Sequence, residues 1–309
     1  MAQPSDIDGV LIEWGDRLFY PGNRRVRPAE GLSTASRRKH AAAIRARIVA
    51  TFVRRAPQVI VKVSGGGRGM KAIAAHFRYI SKNGRLSMED EREQLLSGKD
   101  AVREIADDWR YGGALIEDES FRREAFNIVL SMPAGTNAEM VRKASREFAQ
   151  HEFSDHKYVI VLHEHQANPH VHLSVRAESI HGRRLNPRKE DLRRWRENFA
   201  EKLRGWGIDA EASGQACRGV RRRYPDIWRL KAKNEGRLRH TMPASRNGEA
   251  LATSTPAENA AWKKVADVLA NSPIKEDQKL AREVVCYFQQ KFDEASPSRG
   301  FTKTVDRAR

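Results

Sequence analysis

The sequence predicts an α+β protein in which a central antiparallel sheet is flanked by helices, with helical extensions at both ends. Three observations carry this expectation. Two β-rich runs, 158–163 and 170–176, are separated by only six residues, which suits a hairpin with a longer loop. Segments with helical period alternate with further β-rich runs. A chain of 309 residues, 39% of them hydrophobic, is long enough to bury a sizeable core.

Taken in order, Ile44, Ile48 and Phe52 repeat at helical spacing before Pro57, so an amphipathic helix is expected over about 36–55. Val59-Ile60-Val61-Lys62-Val63 reads as a strand and Ser64-Gly65-Gly66-Gly67-Arg68-Gly69 as a loop, with a helix from Met70 to about 81. Val102, Ile105 and Trp109 share one helical face, and 126–131 is a second strand closed by Pro133 and Gly135. Thr136 with Glu139 has the spacing of a capping box ahead of a helix through Met140, Ala144 and Phe148. After the hairpin, Asn186-Pro187 offers an N-cap and first-turn proline to a helix that buries Leu192, Trp195, Phe199 and Leu203 and stops at Gly205. A polar stretch at 234–256 reads as a linker. Beyond it Trp262, Val265 and Leu269 mark one short helix, Leu280, Val284 and Phe288 another, and 296–309 a basic tail. The expected division is a basic arm at 1–57, a main domain at 58–233, the linker, and a small helical region at 257–309.

Lys and Arg number 57 against 40 Asp and Glu, a net charge of +17, which points to a polyanionic partner, nucleic acid ahead of an anionic membrane surface. No apolar run approaches the roughly 20 residues that cross a bilayer, so no membrane insertion is expected. Met1-Ala2-Gln3-Pro4-Ser5-Asp6 has no basic flank or apolar stretch of a secretion signal. Cys217 and Cys286 are the only cysteines, which excludes a disulfide framework or a cysteine-based zinc module and suits a reducing cytoplasm.

The most informative segment is His163-Glu164-His165-Gln166-Ala167-Asn168-Pro169-His170-Val171-His172-Leu173-Ser174-Val175-Arg176. Alternation along a strand puts His170, His172, Ser174 and Arg176 on one face and Val171, Leu173 and Val175 on the other. If the preceding run pairs antiparallel, His163 lies opposite His170 and three imidazoles converge. Three neutral imidazoles with open positions describe a catalytic rather than a structural metal site. The His-Glu-x-x-His spacing of zinc proteases is absent. Ser174 stands where a third alternating histidine would mark a nucleotide hydrolase.

Upstream, Tyr79 stands near the basic helix end at Lys82 and could offer a phenol to a phosphate. The glycine loop lacks the Gly-Lys-Ser/Thr ending of an ATP-binding loop; phosphate contact there, with Arg68 in the loop, is the lesser expectation beside a plain turn. Residues 183–240 carry 18 basic and 8 acidic side chains. Arg193-Arg194 and Arg221-Arg222-Arg223, interleaved with Trp206, Tyr224 and Trp228, suit a groove that follows phosphates and stacks unpaired bases. Lys82 and Arg176 complete the expected DNA contacts.

Taken together and in order, Gln58 to Val63 with its glycine loop, Tyr79-Ile80-Ser81-Lys82-Asn83-Gly84, Ser131-Met132-Pro133-Ala134-Gly135-Thr136 and the block from His163 to Val175 resemble the conjugative relaxases, HUH-type single-strand endonucleases of the plasmid mobilisation class. The resemblance covers about 58–230. It implies an HUH relaxase-like fold, a nicking tyrosine at Tyr79, a metal triad of His163, His170 and His172 holding a divalent ion such as Mg²⁺ or Mn²⁺, and a DNA-positioning serine at Ser131. It also implies strand-specific nicking and rejoining of transfer-origin DNA through a 5′-phosphotyrosyl intermediate. Its partners would be single-stranded and transfer-origin DNA, relaxosome accessory proteins and a type IV secretion coupling protein, in a cytoplasmic protein exported with its DNA. The family commonly has an acidic residue two places after its first histidine, where this chain has His165, which is a candidate base. An ordinary phenol titrates near 10, so forming phenolate at pH 7 costs about 4 kcal/mol, which a bound cation and a neighbouring base would offset. A non-catalytic DNA-binding or plasmid-maintenance protein on the same fold, and a rolling-circle replication initiator, are the alternatives the sequence leaves open.

Overall fold

The computed structural model describes residues 6–19, 32–164, 166–214, 216–218, 236 and 256–295. In chain order the helices are α1 (Ile7–Phe19), α2 (Thr34–Ile48), α3 (Met70–Ile80), α4 (Lys99–Tyr111), α5 (Ala138–Glu152), α6 (Lys189–Gly205), α7 (Pro256–Ala270) and α8 (Lys275–Ala295). The strands are β1 (Ile60–Gly65), β2 (Met88–Asp90), β3 (Leu95–Leu96), β4 (Ala125–Ser131), β5 (Tyr158–His163) and β6 (His170–Arg176). Two compact units result, one of Ala56–Ala212 and one that joins Met1–Arg55 to Ser213–Arg309.

The first unit holds a single six-stranded sheet in the order β1-β4-β6-β5-β2-β3, antiparallel at every pairing. The α+β class and antiparallel sheet expected from the sequence are therefore present. Alternation divides the strands between two faces. On one face Val61, Ile128, Leu130, Ile160, Val171 and Leu173 are buried against Val141, Ala144 and Phe148 of α5 and Trp195, Phe199 and Leu203 of α6. On the other, Val159 and Val161 of β5 pack under Ile73 and Phe77 of α3 and Val102, Ile105 and Trp109 of α4. The Phe77 and Trp109 rings meet edge-on at 4.9 Å. The apolar face of β6 is thus the one packed under α5 and α6. The structure covers part of the histidine face too, because β5 is apolar on both sides. Toward the edge strand β1 the face stays uncovered, and there Ile60 is 53% exposed and Lys62 and Ser64 face solvent.

Several local details differ from the expected ones. Asn137 rather than Thr136 caps α5, its side chain accepting from the Met140 amide, while the Thr136 hydroxyl donates to the Pro133 carbonyl. Helix α6 begins three residues after Asn186, where the Asp191 carboxylate accepts from the Arg188 amide. Strands β2 and β3 are too short to show a period. The glycine loop is shorter than expected, because β1 continues through Ser64 and Gly65. The first amides of α3, at Met70 and Lys71, donate to the carbonyls of Glu117 and Asp118, so they are not offered to a phosphate. Gly69 has φ 91°, and a Cβ there would lie 2.3 Å from the Asp118 carbonyl oxygen.

In the second unit α1 and α2 share one core with α7 and α8, built on Leu11, Ile44, Phe52, Trp262, Val265 and Val284. The Phe52 and Trp262 rings lie 4.7 Å apart, and Arg45 donates to both Asp8 and Asp277. Helix α1 was not foreseen. Apart from positions 236 and 256, the expected linker at 234–256 lies outside the described residues, as does the tail at 296–309. No helix among the described residues is long and apolar enough to cross a membrane.

Leu173 is 1% exposed at the centre of the sheet. Leu173→Ala is expected to lower unfolding stability by about 2–5 kcal/mol, since a side chain inside both strand and helix packing leaves a cavity that closes poorly. A urea titration of wild type and variant checks this, and a loss below about 1 kcal/mol would contradict the packing described.

Candidate active site

The hairpin register places His163 directly opposite His170, and His172 two residues further along the same face of β6. Ring centroids are 5.1 Å apart for His163 and His170, 4.5 Å for His163 and His172, and 5.2 Å for His170 and His172. One nitrogen from each ring lies within 4.8 Å of the others. Ser131 is the β4 neighbour of His170 in the same cross-strand row, and its hydroxyl donates to the Pro169 carbonyl at 3.4 Å.

Hydrogen bonds orient two of the rings. His163 Nε2 lies 2.6 Å from the Ile80 carbonyl and His170 Nδ1 lies 3.0 Å from that of Asn168. A carbonyl only accepts, so each of these nitrogens carries the hydrogen, and His163 Nδ1 and His170 Nε2 keep lone pairs for an ion. Burial, reinforced by the neighbouring imidazoles, pulls His172 down from about 6.5 to about 3, so this ring is neutral at pH 7. Three converging imidazoles, two with anchored N–H groups, fit a divalent cation.

The Ile80 carbonyl is the last of α3, and that helix lies on the histidine face. Tyr79, one residue earlier, is 67% exposed. His76, one turn back, has its ring 6.3 Å from that of Tyr79 and 6.4 Å from that of His172. Among the described residues its buried Nε2 has no hydrogen-bond partner, and burial lowers its affinity for a proton. Sequence reasoning assigned His76 no role; its spacing of three from Tyr79, which shares a helix face, was the available signal. The turn after α3 is tight, with positive φ at Lys82, Asn83 and Gly84. At Gly84 a Cβ would lie 2.3 Å from the Gly98 backbone.

Residues 79–208 match a family model described as "Relaxase: MobA/VirD2-like, nuclease domain". This segment is similar to the nuclease domain of MobA/VirD2-like relaxases. Curated relatives include the T-DNA border endonuclease VirD2 of Rhizobium radiobacter, 26% identical over 186 residues that cover 54% of this chain and 44% of the relative. The same protein of Rhizobium rhizogenes is 27% identical over 183 residues, covering 53% and 42%, and that of Agrobacterium fabrum (strain C58) is 26% identical over 205 residues, covering 59% and 46%. The chain thus spans less than half the length of these relatives. The match begins at Tyr79 and includes Ser131 and all three histidines.

The fold separates the remaining predicted residues. Lys82 is exposed in the turn beside Tyr79. Arg68 precedes the opposite end of α3, about 16 Å away along eleven residues of helix. Arg176 corrects the sequence reading: it is 3% exposed, and its guanidinium donates to the Gly112 carbonyl at 2.9 Å and to the Ala114 carbonyl, fastening that loop rather than facing a groove. Arg193 and Arg194 are also displaced from the site, because α6 packs on the face opposite the histidines. Arg194 there bonds Glu152 and Asp191. His165, Arg221, Arg222 and Arg223 lie outside the described residues.

With the folded-state affinity of His172 for a proton depressed, the unfolded chain binds the extra proton between about pH 6.5 and 3, so stability falls as pH falls through that window. The melting temperature of the ion-free protein is therefore expected to drop between pH 6.5 and 5, and His172→Gln to flatten that slope. Identical slopes in both proteins would contradict the buried neutral ring.

Proposed function

We propose that the protein nicks one DNA strand at a transfer origin and rejoins it by way of a 5′-phosphotyrosyl intermediate, initiating conjugative transfer of a plasmid or integrative element. The observation that carries this reading is the hydrogen bond between His163 and the Ile80 carbonyl, which ties the helix bearing Tyr79 to the imidazole cluster on one face of the sheet. Tyr79 attacks the scissile phosphorus through its hydroxyl oxygen; the bond from phosphorus to the 3′ oxygen breaks, and the phenolic proton ends, through intervening groups, on the 3′-hydroxyl. Rejoining is the reverse, so the phosphodiester's energy is conserved. His163, His170 and His172 would hold a divalent ion, Mn²⁺ in preference to Mg²⁺ given an all-imidazole set. Such an ion, when bound, withdraws charge from a non-bridging phosphate oxygen. Ser131, beside His170, positions the strand, and Lys82 holds a flanking phosphate. We assign His165 as a base for the phenolic proton. Accessory proteins at the origin and a type IV coupling protein complete the proposed partners of a cytoplasmic enzyme exported with its DNA.

The test is an SDS-resistant adduct between the protein and a cognate single-stranded oligonucleotide in Mn²⁺. Tyr79→Phe is expected to reduce adduct formation by about a thousandfold or more, as expected for loss of a nucleophile. Chelation with EDTA is expected to do the same in wild type. His170→Ala should lower Mn²⁺ affinity together with adduct yield. An undiminished adduct in Tyr79→Phe would assign the nucleophile elsewhere, and no adduct in wild type would favour a binding protein.

A further inference from the structure

Behind Tyr79 lies a second feature that the imidazole site does not use. Helices α3 and α4 leave between them a groove of about 410 Å³. Its floor is apolar, with Ala74 of α3 and Val102 of α4, and its rim carries Arg78, Lys99, Arg103 and Arg110 against one acid, Asp107. Among the described residues Arg103 pairs with the exposed Asp100, and Arg110 with Asp118. Arg78 and Lys99 have no acidic partner among the described residues. Two unpaired cations beside two held by single surface acids make the rim of this concavity net positive, and four cations spread along it suit a polyanion rather than a single phosphate.

The groove begins where the nucleophile's turn ends. Arg78 adjoins Tyr79 in sequence, and Asn83 lines the groove directly after the exposed Lys82. From Lys99 to Arg110 the α4 rim rises about 16 Å, room for more than one phosphate.

We propose that this groove binds the backbone of the single strand on the 3′ side of the scissile phosphate, the segment that stays joined to Tyr79 after nicking. The proposal rests on the tyrosine reading above and adds a place for the tethered strand. A strand whose 5′ phosphate is esterified to Tyr79 starts on α3 itself and reaches the rim by passing over Lys82 and Asn83. The apolar floor offers sugar and base faces a dry surface, while the cations neutralise the phosphates. Held there, the 5′ end remains in place for rejoining.

The experiment measures affinity for oligonucleotides in EDTA, where no cleavage occurs, lengthening either the 3′ or the 5′ arm from two to about ten nucleotides. Wild type is expected to gain affinity with either arm. Lys99→Ala/Arg103→Ala should lose about tenfold of the gain from the 3′ arm and show a salt slope shallower by about 1.4, for two lost phosphate contacts. Lys99→Glu/Arg103→Glu should lose more; both side chains are exposed, and a glutamate in the first turn of α4 suits the helix dipole. An equal loss for both arms, a loss confined to the 5′ arm, or no loss would overturn the proposal. Because this assay reads binding alone, failure of the groove is distinct from failure of the tyrosine, which the adduct assay reports.

Discussion

One carbonyl organises the site. At the end of α3 the carbonyls of Phe77, Arg78 and Tyr79 accept from the amides of Ser81, Asn83 and Lys82, and that of Ile80 accepts from the His163 ring. The last turn of any helix leaves acceptors without intrahelical donors, and here a side chain of β5 satisfies one of them. This bond fixes which nitrogen of His163 keeps its lone pair. It also fixes how far the residue before Ile80 can stray from the imidazoles. The negative end of the helix dipole points the same way, which favours a cation near the rings.

Much of this was legible in the sequence because it depends on period. Alternation along β6 and a six-residue loop are enough to converge three histidines, since a strand has only two faces and a hairpin few registers. The phenol could be placed on a helix but not on a side of the sheet; that follows from which helix covers which face, a matter of tertiary packing. Arg176 shows the same limit in reverse. Alternation puts it on the histidine face, yet at the far end of the strand a loop folds over it and takes its donors. The arginines of α6 lie in the layer opposite the histidines, which charge density along the chain does not foretell. His76 was passed over because an isolated histidine on an amphipathic helix carries no period of its own.

The sheet's two faces differ in what they demand of the sequence. The face under α5 and α6 is apolar on all four of its long strands and sets the stability of the domain. The other is covered only where α3 and α4 pack on it, and polar residues are tolerated beside them because the β1 edge remains wet. The histidines stand at that boundary, with His163 buried and its two partners half-buried. A cation there is shielded enough for its charge to act strongly, while a strand of nucleic acid can still approach from the open side.

The second unit draws one core from both ends of the chain, α1 and α2 before the sheet and α7 and α8 after it. During synthesis the sheet domain can therefore close on itself as a local product, while the leading helices must wait with Leu11, Ile44 and Phe52 unsheltered until the trailing helices emerge from the ribosome. A ribosome that stalls or a message that is cut short beyond the sheet would release a folded nuclease domain carrying a greasy, unmatched N-terminal hairpin, the kind of surface that chaperones and proteases recognise.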